Sequence, residues 1–385
     1  AYEISLGLVG SEMCIRDRSL VTDFCINGRF LVQPISGVQR VARQLCRALA
    51  RSPAKDSFSL MIPPEAEAEA DQIGLPFEIA GGASDTSLGG ILWENRALPK
   101  ATRGRYLINL TNRFPLALKR GAVLIHDAHV FDLPSTYKPI FGSFYRNLYR
   151  WAITSGLDLV TVSKFSRARL SQALGVDSNR WTVIKSGIDH ILEPKPDFST
   201  LERFGLVPEG YVLTVGALSA HKNLAALKLL ARGLTAQGLK LVAVGDVAPA
   251  VYARADLGEA LKYVGQVSDG ALRALMENAR CFVFPSQYEG FGLPPLEAMA
   301  LGCPVATSDI APLREACGEA CIFFDPNDPE EIAERVLALS NNEAQRVHLG
   351  NAGREATRHL TWDHSAEKWL DLLSVASKSS KIIES

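Results

Sequence analysis

Two glutamates, Glu289 and Glu297, stand eight residues apart in the stretch FPSQYEGFGLPPLEAMALGCPV. Between them lie Gly290, Phe291, Gly292 and the pair Pro294-Pro295. The apolar run CFVFPS before them reads as a buried strand and PPLEAMALG after them as a helix. Pro294 and Pro295 suit a first helical turn, where proline's missing N–H is no loss. Glu297 is then expected in that same turn. Glycines let a loop backbone approach a ligand closely. The loop amides, with the positive end of the helix, form an anion site. An anion site flanked by carboxylates fits a ligand that is part anion and part polyol, such as a nucleotide-sugar: amides take phosphate and carboxylates accept from hydroxyls. Either glutamate alone has a plainer explanation, because acidic residues near a helix N-terminus are favoured by its dipole. The whole string, at the carboxyl end of a parallel strand, points to function.

The rest of the chain supplies the elements that must hold this loop. SLVTDF reads as a first short strand. SGVQRVARQLCRALA follows as an amphipathic helix, with Val38, Val41, Ala42, Leu45 and Leu49 on one face. RYLINLT, AVLIHDA and LDLVTVS are apolar runs of strand length, and the helix SRARLSQALG closes at Gly175. EPKPDFST, with two prolines and no apolar period, reads as linker. Alternation then restarts: strands at YVLTVGA, KLVAVGD, LKYVG, CFVFPS, CPVATSD and ACIFFD, with helices between. Apolar runs separated by helices imply parallel sheets covered on both faces. The expected fold class is α/β, two doubly wound Rossmann-like domains in series with a ligand crevice between them. The boundaries read as 19–192, a linker at 193–208, 209–361, and a helical tail at 362–385 broken off near Thr361-Trp362. Residues 1–18 (AYEISLGLVGSEMCIRDR) read as a non-native lead.

Bulk properties exclude several classes. The chain has 385 residues, 47% hydrophobic and 22% charged, as in an ordinary globular protein. A net charge of -1 argues against a surface built for nucleic acid. No apolar run reaches the roughly 20 residues of a membrane span. The seven cysteines are scattered without a CxxC pair, which suits reduced thiols in a cytoplasm and not a disulfide framework or zinc site. There is no P-loop, no GxGxxG after a strand, no GxSxG and no HExxH.

PSQYEGFGLPPLEAMALGCPV resembles the E-x7-E signature of the retaining family 4 glycosyltransferases. VGALSAHKNL, YVGQVSDGALRALMENA, IHDAHVFDLP, VTVSKFSRARL and VIKSGID resemble further blocks of that family, in the family's order, from about Asp23 to Trp362. The resemblance implies the GT-B architecture, with the last helix crossing back to the first domain. It implies that Glu289 contacts the donor sugar and Glu297 the ribose, with the amides of Phe291, Gly292 and Leu293 meeting sugar and diphosphate. In VGALSAHKNL, which includes Gly216, a strand is expected to end at Ala217 and a helix to start near Asn223, with Lys222 at their junction in the place of the family's diphosphate-binding lysine. Many members carry an arginine in this block, where Ala217 and His221 stand here. Gly37 in SGVQR corresponds to the family's glycine loop, and Ser36 equally reads as a helix N-cap. His126, with Asp127 beside it, corresponds to a histidine aimed at the donor sugar. Ser163 and Lys164 would line the cleft wall, and Gly265, Gln266 and Val267 would meet the base through backbone.

The activity so implied is transfer of a hexose, with retention, from a nucleoside-diphosphate sugar to an acceptor hydroxyl. No D-x-D motif occurs, so no metal and no cofactor is expected. Catalysis would rest on Glu289, His126 and Lys222. GVQR and HKNL resemble bacterial mannosyl- and rhamnosyl-type members of surface-polysaccharide pathways, whose acceptors are glycans or lipid-linked glycans. A stripe of Arg40, Arg43 and Arg47 on the first helix could meet an anionic membrane at the inner face of the cytoplasm, or be a solvated helix face. The rival readings are a GT-B nucleotide-sugar epimerase and a non-catalytic nucleotide-sugar-binding subunit.

Overall fold

The computed structural model describes residues 24–82, 86–216, 219–245 and 261–383. The lead at 1–18, most of SLVTDF and Ala217 therefore lie outside the described residues. Two parallel sheets organise the chain. The first is built from β1 (Phe24–Asn27), β2 (Phe58–Ile62), β3 (Phe77–Ile79), β4 (Tyr106–Asn109), β5 (Gly121–Leu124), β6 (Asp158–Thr161) and β7 (Trp181–Val183), in the order β3-β2-β1-β4-β5-β6-β7. The second contains β8 (Tyr211–Val215), β9 (Lys240–Val244), β10 (Leu261–Gly265), β11 (Cys281–Phe284), β12 (Val305–Ser308) and β13 (Ile322–Phe324), in the order β10-β9-β8-β11-β12-β13. The two doubly wound units expected from the alternation are present. β2 and β3 were not anticipated, although FSLMI is buried at every position.

Burial explains why these runs are strands. β2, β4, β5, β11 and β12 are buried throughout, since helices cover both faces of each sheet. The helix Gly37–Arg51 turns Val41, Ala42, Leu45 and Leu49 inward, with Val38 half-buried at its start. The six described cysteines are all buried free thiols.

The chain crosses between its halves twice, and the crossings are zipped together. The second passes through the break at Thr361, between helices Glu343–Thr357 and Trp362–Ile383. The last helix packs on helix Gly37–Arg51, where Arg51 Nη2 meets Asp363 Oδ1 at 2.7 Å. Ile188 N–H donates to the Leu360 carbonyl at 2.9 Å, and Trp362 N–H to Asp189 Oδ1 at 2.8 Å. Ser365 Oγ donates to the Lys185 carbonyl at 2.7 Å. A Cβ on Gly187 would stand 2.3 Å from the Trp362 nitrogen, so only glycine allows this backbone-on-backbone approach. Gly187→Ala should therefore destabilise the protein by about 1–3 kcal/mol, the usual cost of overpacking. A melting temperature equal to that of the unsubstituted chain would show that the crossing is looser than this.

Candidate functional site

Strand order reverses between β8 and β11 in the second sheet. At such a point the loops leaving the two strands run to opposite faces and open a crevice at their carboxyl ends. Lys222 comes from the loop after β8 and Glu289 from the loop after β11, so the two converge across it. Their side chains form a direct ion pair, both largely buried, and the Lys222 ammonium also lies 5.2 Å from the centroid of the Phe284 ring. Gly216 sits under the lysine stem, with Lys222 Cδ 3.7 Å from where its Cβ would be. Lys222 does not stand directly before an α-helix, as a helix starting near Asn223 would have it. It closes a 3-10 turn, Ala220–Lys222, followed by a second one, and the α-helix starts only at Lys228. Asn223, in the left-handed conformation, separates the two turns.

The glycine loop is built as its sequence suggests. Gly292 caps helix Leu293–Ala300 at φ +97°, and a Cβ there would also lie 2.4 Å from Leu313 Cδ2. Phe291 is buried. Among the described residues no acceptor is found for the N–H groups of Phe291, Gly292 or Leu293, so three successive donors remain for an anion. Glu297 departs from expectation: the helix begins at Leu293, which puts Glu297 in the second turn. It is buried, 5% exposed, and Oε1 lies 2.9 Å from His190 Nε2. Burial pushes its carboxyl up, but the close contact with His190 and the nearby Arg40 charge outweigh this and hold it below the usual carboxylate range.

The first half closes over this loop. Ser163 Oγ donates to the Gly290 carbonyl at 2.6 Å, and Ser166 Oγ lies 2.9 Å from the His126 carbonyl and 3.1 Å from that of Gly290. Glu315 reaches across to accept from the Lys164 and Phe165 amides, each at 2.9 Å. It thereby caps helix Lys164–Leu174 from the opposite half. Tyr288 donates to Asp132 at 2.9 Å, and Arg40 pairs with Asp269 at 2.8 Å. Arg43 donates to the Leu31 carbonyl at 2.7 Å. Arg40 and Arg43, two of the three arginines of the stripe, thus make internal contacts.

His126 is buried with Nε2 3.0 Å from the Leu110 carbonyl, and Asp127 Oδ1 accepts from the His129 amide at 2.9 Å. Beside His221, a second imidazole neighbours the charged pair, that of His129, to which the sequence analysis gives no role. Its ring centroid lies 4.6 Å from His221 and 5.0 Å from Tyr288. Nδ1 is 2.5 Å from the Tyr137 hydroxyl, while Nε2 is buried without a partner. The only signal was position: IHDAH places a second histidine in the loop after β5. Gly37 is exposed at the start of its helix, and Ser36 holds the N-cap position without a capping bond, its hydroxyl turned to Gln39. Gly265 ends β10 and Gln266 and Val267 follow it, with β9 between this strand and β8. A cavity of about 500 Å³ opens behind Phe291, lined by Lys185, Glu315 and His359 among others; neither Lys222 nor Glu289 lines it.

The electrostatics follow from this crowding. Burial, then Lys222 and His129, push the His221 imidazole down to about 4 from an ordinary 6.5. Burial likewise lowers His129, against the nearby carboxylates of Asp127 and Glu289. The folded state then binds fewer protons than the unfolded state between about pH 4 and 6.5, so stability rises with pH through that window. This contribution is complete above the unfolded value and lost as pH falls toward the folded one. The melting temperature should drop from pH 7 to pH 5, and drop less in His221→Asn; an equal drop in both would remove His221 from the account.

The family model described as "Glycosyl transferases group 1" matches residues 202–356, and "Glycosyltransferase Family 4" matches 35–191. The O-antigen chain mannosyltransferase B of Escherichia coli is 29% identical over 262 residues, 65% of this chain and 69% of that protein. The O-antigen chain mannosyltransferase RfbU of Salmonella typhimurium is 27% identical over 239 residues, 60% of this chain and 64% of that protein. The aligned stretch thus spans about two thirds of these relatives' length. Among solved structures, Anabaena HepE in complex with UDP and glucose superposes with a TM-score of 0.70 at 17% identity, over 91% of this chain and 99% of that one. With the two family matches lying in order over the two doubly wound halves, the chain belongs to the group 1, family 4 glycosyltransferases and has the GT-B fold.

Proposed function

We propose that this glycosyltransferase moves a hexose, mannose first among the candidates, from a nucleoside-diphosphate sugar to a hydroxyl of a glycan or lipid-linked glycan. It does so with retention and without a metal, in bacterial surface-polysaccharide synthesis. Residues 19–192 form the acceptor-side domain and 209–361 the donor domain. One observation carries the proposal: Lys222 and Glu289 meet at the switch point beside three unspent amides, an arrangement with a cation and donors for a diphosphate and a carboxylate for a sugar. The names of the mannosyltransferase relatives support the sugar, and the UDP and glucose bound to HepE support a nucleotide-sugar donor.

In this reading the amides of Phe291, Gly292 and Leu293 and the Lys222 ammonium take the diphosphate, with Gly216 and Gly37 leaving room for it. Glu289 accepts from sugar hydroxyls and stabilises positive charge at the ring carbon. His126 and Asp127 border the sugar, and Glu297 accepts from the ribose. Gly265, Gln266 and Val267 lie beside the base. The bond from the anomeric carbon to the diphosphate breaks, the acceptor oxygen bonds to that carbon on the same face, and the acceptor's proton passes to the leaving phosphate oxygen. The enzyme's work is electrostatic, by groups already in place. The Lys222–Glu289 ion pair must then loosen, releasing Lys222 to the diphosphate and Glu289 to the sugar. Among the described residues no helix is long and apolar enough to cross a membrane. A lipid-linked acceptor would be met at the inner face of the cytoplasmic membrane.

Lys222 faces charge that grows as the diphosphate leaves, so Lys222→Ala should lower kcat more than it raises donor KM. A preorganised group of this kind is worth about 3–4 kcal/mol, or roughly 10²–10³ in rate. Glu289→Gln should abolish most transfer while leaving affinity for the sugar-free nucleotide nearly intact. Full transfer by Glu289→Gln would remove the sugar-contact role from Glu289, whereas donor binding without any turnover by the unsubstituted chain would favour the binding-subunit alternative. Transfer should also persist in excess EDTA; loss restored by magnesium or manganese would overturn the metal-free mechanism.

A further inference from the structure

His190 lies in the short turn Asp189–Leu192, where the chain leaves the first half. No block of the sequence marked it, yet its side chain is 1% exposed and touches both crossings. Trp362 Nε1–H donates to His190 Nδ1 at 3.0 Å. A ring nitrogen that accepts holds no proton, so the ring proton sits on Nε2. Nε2 is 2.9 Å from Glu297 Oε1, within hydrogen-bonding distance, though its N–H is not aligned on that oxygen. Trp362 is itself fixed, its backbone N–H on Asp189 and its helix pressed against Gly187.

We infer that His190 is a positioning residue for Glu297: anchored by Trp362, it ties the orientation of the ribose-holding carboxylate to the crossing between the two domains. This rests on the assignment of Glu297 to the ribose proposed above. A hydrogen bond from Nε2–H occupies Oε1 and leaves Oε2 to accept from a ribose hydroxyl. The other charged groups near the carboxylate are Arg40 and Asp269, which are paired with each other. The donor of that hydrogen bond belongs to the first half and the carboxylate to the second. A shift of the crossing would therefore weaken nucleotide binding, and by reciprocity bound nucleotide would favour the crossed arrangement seen here.

The test is a set of binding isotherms on the full chain with UDP and GDP, beside inorganic pyrophosphate, which has no ribose. His190→Ala should weaken the tighter nucleotide about five-fold or more, the worth of one well-placed hydrogen bond, and leave pyrophosphate unchanged. His190→Gln, whose amide N–H reaches the place of Nε2–H, should stay within about two-fold. Trp362→Phe, which keeps an aromatic ring beside His190 but removes the anchoring N–H, should weaken nucleotide and spare pyrophosphate. In a Glu297→Ala background, His190→Ala should add nothing, because coupled groups are not additive. Equal weakening of pyrophosphate, or full additivity with Glu297→Ala, would reduce His190 to a general structural role and overturn the inference. If Glu297→Ala itself leaves UDP and GDP binding unchanged, the ribose assignment fails and the inference with it. If Glu297→Ala weakens binding and His190→Ala does not, the coupling alone is wrong. Should His190→Ala fail to fold, Trp362→Phe against His190→Gln gives the same division.

Discussion

Lys222 and Glu289 can meet only because the second sheet is wound in both directions from β8 and β11. All strands of a parallel sheet present their carboxyl ends on one side, but only where the order reverses do neighbouring loops part and leave a crevice. The rest of the site is arranged around that gap. β8 delivers the cation, β11 delivers the carboxylate and the glycine loop, and the first half supplies the opposite wall. An ion pair of this kind, largely removed from water, is held by its surroundings as much as by its own attraction, since both charges give up hydration to form it. The same property suits a site whose two charges are to be separated by a ligand that offers each a better partner.

The wall contributed by the first half is fastened by bonds to backbone groups. Gly290's carbonyl faces Ser163 and Ser166, and the first amides of helix Lys164–Leu174 face Glu315. A helix N-terminus capped from another domain is satisfied only while the domains are closed. The closed arrangement is therefore specific, and its hydrogen bonds end on the loop that carries Glu289. Tyr288, next to Glu289, adds a bond to Asp132, which Arg169 also engages.

Charge around the site is lean. His221 stands where many members of the family place an arginine, and burial together with Lys222 and His129 keeps it uncharged at neutral pH. On the proposed function, a diphosphate would therefore rest mainly on Lys222 and on backbone amides. A pair of imidazoles, His129 and His221, occupies the remaining space with Tyr137 and Tyr288. These rings offer hydrogen bonds and apolar faces instead of charge, which is the chemistry of a surface that receives a sugar.

Much of this was legible in the residues alone. Strand-length apolar runs alternating with amphipathic helices determine two doubly wound units, because buried parallel strands need apolar side chains on both faces. Glycines and prolines around Glu289 determine a loop that opens a helix, since Gly292 needs a positive φ and proline tolerates only the first turn. Tertiary structure decided what local pattern does not encode. It placed Glu297 one turn deeper and set His190 beside it, a pairing across more than a hundred residues that no periodicity announces. It turned Arg40 and Arg43 from an apparent surface stripe into internal contacts. It also brought His129 beside the charged pair, with His126 bonded to Leu110 instead. Periodicity reports which face of an element is buried; which atoms meet there depends on how two domains close on each other.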